Sequence, residues 1–144
     1  MYKFEKSIMI NRPQQEVFDF VTDLSNDSKW QSGIVSVERS SDGPIRAGST
    51  WVYKLKFLGR EMEAEIELTS FDSPNQASVK SVNGPVPFEN TYKFQSKGDS
   101  TQMTFSGQAE IGGFFKMAEG LVGKQFEKQM DADGAALKKL LEAG

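Results

Sequence analysis

Histidine and cysteine are both missing from this chain of 144 residues. Their absence excludes Ser-His-Asp and Cys-His catalysis, imidazole- or thiolate-bound zinc, disulfides and histidine proton shuttles together. Any chemistry has to come from Asp, Glu, Lys, Tyr or Arg. A metal site would need carboxylates alone, and the sequence assigns no metal, no cofactor and no catalytic residue. The most suggestive polar group is the amide of Asn90. Phe88, Asn90, Tyr92 and Phe94 alternate with Glu89, Thr91 and Lys93, which predicts a strand carrying the first set on its inner face. An inward amide left unbonded costs about 1–3 kcal/mol. Two roles stay open for it: a structural amide bonded to backbone or to Tyr53, or an anchor for a ligand carbonyl or hydroxyl, with Tyr53 and Tyr92 as phenolic donors beside it. No charged side chain falls on the inner strand faces between Trp51 and Ala109. That weighs against a carboxylate or phosphate ligand, whose burial needs a paired cation, and against acid–base chemistry deep inside.

The elements that must position these groups are legible from periodicity. Ile8 and Ile10 alternate with polar neighbours as in a half-buried strand. Pro13 follows, suited to a first helical turn, and then Val17, Val21 and Leu24 at helical spacing. A strand from Gly33 to Arg39 is expected, with Val35 and Val37 on one face. From Thr50, the residues Trp51, Tyr53, Leu55 and Phe57 share a face. Leu58-Gly59 suits a tight hairpin. Pairing Phe57 with Arg60 sets Lys56 against Glu61, Lys54 against Glu63, Leu55 against Met62, Tyr53 against Ala64 and Trp51 against Ile66. Both faces agree in that register and a one-residue slip would ruin both. The Lys–Glu face reads as a solvated sheet surface. A weaker strand, Ala77 to Val82, has Val79 inward. Met103, Phe105, Gly107 and Ala109 share the inner face of a last strand, where the two small residues are expected to leave volume unfilled. From Phe114 to Glu142 the period turns helical, with Val122, Phe126, Met130, Leu137, Leu140 and Leu141 on one stripe. Gly120 and Gly123 either precede the regular helix or mark a close approach or gate near its start.

The formal net charge is −3, without blocks of like charge, so there is no electrostatic footprint for nucleic acid. The N-terminal apolar patch is too short for a secretory leader, and no apolar run approaches the roughly 20 residues of a membrane span. A cytoplasmic protein is the default expectation.

The succession of strand, short helices, further antiparallel strands and one long helix is an α+β layout. At Ile8-x-Ile10-x-x-Pro13-x-x-x-Val17-Phe18-Asp19-Phe20-Val21-x-Asp23, Trp30, Gly48-Ser49-x-Trp51, Tyr92-x-Phe94 and Leu137-Lys138-Lys139-Leu140-Leu141-Glu142, the chain resembles the START-like, birch-allergen-like superfamily, and within it the polyketide cyclase/dehydrase (SRPBCC) group. The resemblance implies a helix-grip fold. That is a curved antiparallel sheet of about seven strands wrapped around a long C-terminal helix, with two short helices after the first strand, as one domain over the whole chain. It also implies a cavity between sheet and helix. The ligand-binding residues would be Trp51, Tyr53, Phe57, Met62, Ile66 and Val79, then Phe88, Asn90, Tyr92, Met103 and Phe105. Phe115 is added near the mouth as a candidate lid with Phe114, and Val122, Phe126 and Met130 from the helix. The expected function is binding of a neutral, largely apolar small molecule such as a lipid, isoprenoid or polyketide-like ring system. The alternatives are a cyclase/dehydratase working without His or Cys, and an interaction protein with a vestigial cavity. The small ligand is the partner expected; oligomeric state is not legible.

Overall fold

The computed structural model describes residues 2–57, 59–84, 87–109 and 119–143, of which residues 2, 57, 119–123, 125 and 126 are described in backbone only. Strand β1 (Tyr2–Ile10) leads into α1 (Gln14–Thr22) and a 3-10 helix (Leu24–Lys29). Six strands follow: β2 (Ile34–Arg39), β3 (Thr50–Phe57), β4 (Arg60–Asp72), β5 (Gln76–Asn83), β6 (Phe88–Lys97) and β7 (Ser100–Ala109), and then α2 (Glu119–Ala143). All neighbours are antiparallel, and the sheet order β1-β7-β6-β5-β4-β3-β2 brings the first strand beside the last. This is the expected helix-grip arrangement.

Pro13 is the N-cap of α1 with φ −61°, and its carbonyl accepts the first helical bond from Val17 N at 3.1 Å. Val17, Phe18 and Val21 are buried. The Phe18 ring meets Phe71 and Phe94 edge-on, with centroids 5.2 and 5.3 Å away, which nails α1 to the sheet. The Asp23 carboxylate then accepts from Ser25 N at 3.2 Å and starts the 3-10 helix.

The β3–β4 hairpin has the register expected from its charges, from Phe57 opposite Arg60 to Trp51 opposite Ile66. Strand β2 departs from its expected alternation. A register shift between Ile34 and Ser36 turns Val35 outward, 52 % exposed, while Val37 stays packed against the core. The bulge adds the one residue that alternation does not count.

Helix α2 runs through Gly120 and Gly123 without a break. Residues 112–115, including the expected lid, lie outside the described residues. Met130, Leu137 and Leu141 pack on the core, but Leu140 is 39 % exposed. The inward row is instead 130–134–137–141, and it contains Gly134, where an added Cβ would sit 3.3 Å from Ile8 Cγ2. A bare backbone lets α2 lie close on β1.

The helix end is clasped by the start of the chain. Arg12 Nε donates to the Leu141 carbonyl at 2.9 Å and Arg12 Nη2 to the Glu142 carbonyl at 3.0 Å. Lys138 Nζ donates to the Met9 carbonyl at 2.7 Å. The arginine answers carbonyls that have no partner further along the helix. Replacing Arg12 by Ala is expected to lower stability by roughly 1–2 kcal/mol. In urea the midpoint should fall with an unchanged slope; an unmoved midpoint would show the clasp to be idle.

Candidate functional site

The site is organised by the seat of the 3-10 helix on β3. Two side chains of β3 reach up to it: Trp51 Nε1 donates to Ser25 Oγ at 3.3 Å, and the Tyr53 phenol donates to Asp27 Oδ2 at 2.5 Å. Asp27 is only 5 % exposed. Its pKa is pushed up to about 8, first by burial, which disfavours the anion, and further by the Asp23 charge; the Tyr53 hydrogen bond opposes this. At neutral pH the carboxyl is therefore mostly protonated. The Trp30 indole also faces this carboxyl and favours its charged form weakly. It does not reach hydrogen-bonding geometry, and Nε1 is left buried with no partner. Burial, and then the proximity of Asp27, raise the Tyr53 and Tyr92 phenols above their ordinary range, so both remain neutral donors; for Tyr92 the Asn90 and Gln31 side chains pull the other way.

The segment after the 3-10 helix is tied to α2. Ser32 donates from N and Oγ to Asp133 Oδ1 at 2.9 and 2.8 Å, and Gln129 Nε2 donates to the Ser32 carbonyl. Partial burial raises the Asp133 carboxyl, and the two Ser32 bonds hold it down.

Between these elements lies a cavity of about 70 Å³, lined by Phe4 of β1, Trp30 and Gln31, Asn90 and Tyr92 of β6, Phe105 of β7, and Met130 and Asp133 of α2. Four residues expected at a ligand site thus meet there: Asn90, Tyr92, Phe105 and Met130. Trp51, Tyr53, Ile66, Val79 and Met103 belong to the packed core, with Phe88 against it, and Met62 is half-buried on β4. None of these seven lines this cavity. Phe115 and the side chains of Phe57, Val122 and Phe126 lie outside the described residues.

Asn90 owes its place to a missing side chain. It pairs with Gly107 across β6 and β7, and Phe4 pairs with the same glycine from β1. A Cβ on residue 107 would collide with Asn90 Oδ1 and come within 2.9 Å of Phe4 Cζ. Gly107 therefore leaves no empty volume, contrary to expectation; the amide and the ring occupy it. The expectation of uncharged inner faces covers the strands from Trp51 to Ala109 alone. Asp27 and Asp133 come from helical segments.

Sequence reasoning misses Phe4, Trp30, Gln31 and Asp133 as site residues. Phe4 is reachable by carrying the Ile8–Ile10 alternation back past Lys6. Asp133 is reachable by continuing from Met130 at i+3. Nothing in the local pattern marks Gln31, or Asp27 as buried.

The family model for "Polyketide cyclase / dehydrase and lipid transport" matches residues 1–142. The chain belongs to that family. Among solved structures, this family member is similar to a conserved protein from Geobacillus kaustophilus at 20 % identity and TM-score 0.84, covering 99 % of this chain and 96 % of that one. A protein from Thermus thermophilus gives 18 % identity and TM-score 0.85 over 99 % and 98 % of the two chains. The Zhui aromatase/cyclase from Streptomyces sp. R1128 gives 14 % and 0.78 over 98 % and 93 %. At such identities the likeness is one of fold. No curated protein matches the sequence. Among the described residues, no helix is long and apolar enough to cross a membrane.

The Asp27 shift has a stability consequence whose sign is the reverse of the usual carboxylate case. The native group holds its proton up to about pH 8, whereas an unfolded Asp loses it near pH 4. The native state thus binds more protons in between, and stability falls as pH rises from about 4 to about 8, then levels off. Asp27→Asn keeps an acceptor for Tyr53 and cannot ionise. It is expected to flatten the pH dependence of the melting temperature across that window and to exceed wild type in stability at its alkaline end. Parallel profiles for the two proteins would contradict the shift.

Proposed function

We propose that this protein binds a neutral, largely apolar small molecule, of lipid, isoprenoid or polyketide-like character, between the sheet and α2. The observation that carries the reading is the make-up of the cavity wall: the rings of Phe4, Trp30, Tyr92 and Phe105 and the thioether of Met130, interrupted by the amides of Gln31 and Asn90, the Tyr92 phenol and the Asp133 carboxyl, with no cation among the described residues. Apolar walls with a few convergent polar groups are the general form of small-molecule sites. The family's description, which names both cyclisation/dehydration and lipid transport, agrees with a ligand of this class.

The volume sets a condition. A cavity of about 70 Å³ is roughly half the size of one that holds benzene. As it stands it admits a small polar head or a few waters. A larger apolar body requires the wall to yield, and Met130, unbranched and flexible, is the wall residue suited to moving.

A second reading, a cyclase or dehydratase, has one observation in its favour. Asp27 titrates at about 8, which suits a general acid at neutral pH. Asp27 does not itself line the cavity, so the binding reading stands first.

Native mass spectrometry of freshly purified protein tests the proposal. The expected result is a non-covalent adduct that disappears on denaturation and is absent from Met130→Trp, whose indole fills the cavity. A wild-type protein that is bare on isolation, and remains so after incubation with neutral lipids and polycyclic ketones, would leave the interaction protein as the better account.

A further inference from the structure

Asp27 and Trp30 lie one turn apart at the end of the 3-10 helix, where the Trp30 backbone N–H donates to the Asp27 carbonyl at 3.3 Å. Side chains at i and i+3 of such a helix stand over one another, and the indole faces the carboxyl of its own turn. The pair is unfinished on both sides. Trp30 Nε1 is buried without a hydrogen-bond partner, whereas the Trp51 indole donates to Ser25 Oγ. Among the described residues, the one side-chain donor on the Asp27 carboxyl is Tyr53, at Oδ2, and Oδ1 takes none. Buried donors and acceptors ordinarily find partners. A neutral acid accounts for the exception. With Tyr53 donating to Oδ2, the acid proton falls on Oδ1, and the indole meets a hydroxyl there, a weaker acceptor than a carboxylate oxygen.

We propose that Asp27 and Trp30 form a proton-operated switch on the cavity wall: loss of the acid proton closes the indole N–H onto Oδ1 and carries the Trp30 ring toward the carboxyl, away from the cavity. The coupling to a ligand rests on the cavity being the ligand site. The surroundings offer the anion no other compensation. From its own segment the carboxyl meets the Asp23 charge, from β3 the Tyr53 phenol and from β6 the Tyr92 phenol, behind which stands Asp133 of α2. The carboxyls repel an anion, the phenols are neutral, and among the described residues no cation acts on Asp27. Its ionised form therefore draws the idle donor, since an N–H bonds a carboxylate more strongly than a neutral group. The movement reaches the cavity because Trp30 lines it and Asp27 does not. An indole drawn toward Oδ1 leaves the wall, and the space of about 70 Å³ gains room for an apolar body. Linkage is reciprocal: a ligand that displaces the Trp30 ring favours ionised Asp27 and releases its proton.

Two readouts on the full chain test the switch, each taken from well below to well above the Asp27 value of about 8. Both phenols are raised by burial and stay neutral through that range. The first readout is the indole N–H signal in 1H–15N NMR. Trp30→Phe or Trp51→Phe assigns it, the chain having two tryptophans. The Trp30 signal is expected to move to lower field with a midpoint at about 8, while that of Trp51 moves little, and to stay still in Asp27→Asn. The second is the affinity for N-phenyl-1-naphthylamine, a neutral apolar probe that fluoresces on burial. Wild type should bind it about fivefold more tightly above the titration than below, the lower end of coupled sites, and Asp27→Asn equally at both ends. That variant keeps Asp133, so any slope remaining in it belongs to the wall carboxyl. In Trp30→Phe the Asp27 acid, followed by its infrared carbonyl band, should titrate about one pH unit or more higher, its anion having lost a charge-assisted bond. The wild-type pH series is readable without any folding variant. An Asp27 that titrates without moving the Trp30 signal overturns the switch. A Trp30 signal that moves while the probe binds equally at both ends overturns its coupling to the cavity. A probe that binds at neither end overturns the ligand reading and the coupling with it, and the NMR series alone then decides the hydrogen bond.

Discussion

A carboxylic acid sits in the core of this protein under a single phenol. Asp27 is held by the Tyr53 hydroxyl, and among the described residues no cation contributes to its electrostatics. An ionised carboxylate there would be expensive, whereas a protonated one is merely a polar group that needs its hydrogen bonds. That constraint seats the 3-10 helix on β3. The seat in turn delivers Trp30 and Gln31 to the cavity wall and sets Ser32 where α2 can hold it through Asp133 and Gln129. Loosening Asp27 would release the one wall of the cavity that comes from neither the sheet nor α2.

Most of the polar groups on the cavity wall are neutral. The Tyr92 phenol, raised by burial and then by Asp27, the amides of Gln31 and Asn90 and the Trp30 indole line it beside the Asp133 carboxyl. Donors of this kind recognise an oxygen without fixing a charge, which fits a fold used by a family that spans cyclases, dehydrases and lipid transport. The fold supplies the concavity, and the side chains that line it set its chemistry.

What the sequence reveals divides along physical lines. The hairpin of β3 and β4 is legible because its apolar and charged faces demand the same register, and the order of elements follows from changes of period. Departures come where a single residue breaks periodicity. The bulge in β2 turns Val35 outward, and Leu140 lies beside the inward row of α2 that Gly134, Leu137 and Leu141 occupy. Of the site, alternation places the strand-borne Asn90, Tyr92 and Phe105 on inner faces. It cannot place Asp27, since a charged residue in a polar segment reads as exposed. Only the long-range meeting of that segment with Tyr53 buries it. Gly107 misleads for a related reason: the space over a glycine belongs to its neighbours across the sheet, here Asn90 and Phe4.

The protonation state of Asp27 is the most direct measure of this account. Infrared difference spectroscopy of the native protein, with Asp27→Asn as the reference, isolates the carbonyl stretch of the protonated acid. The account requires that band at neutral pH and its loss with a midpoint at about 8. A band absent at neutral pH, with Asp27 titrating near the ordinary carboxylate value of about 4, would mean that the acid is solvated or paired, and that the seat of the 3-10 helix has been wrongly understood.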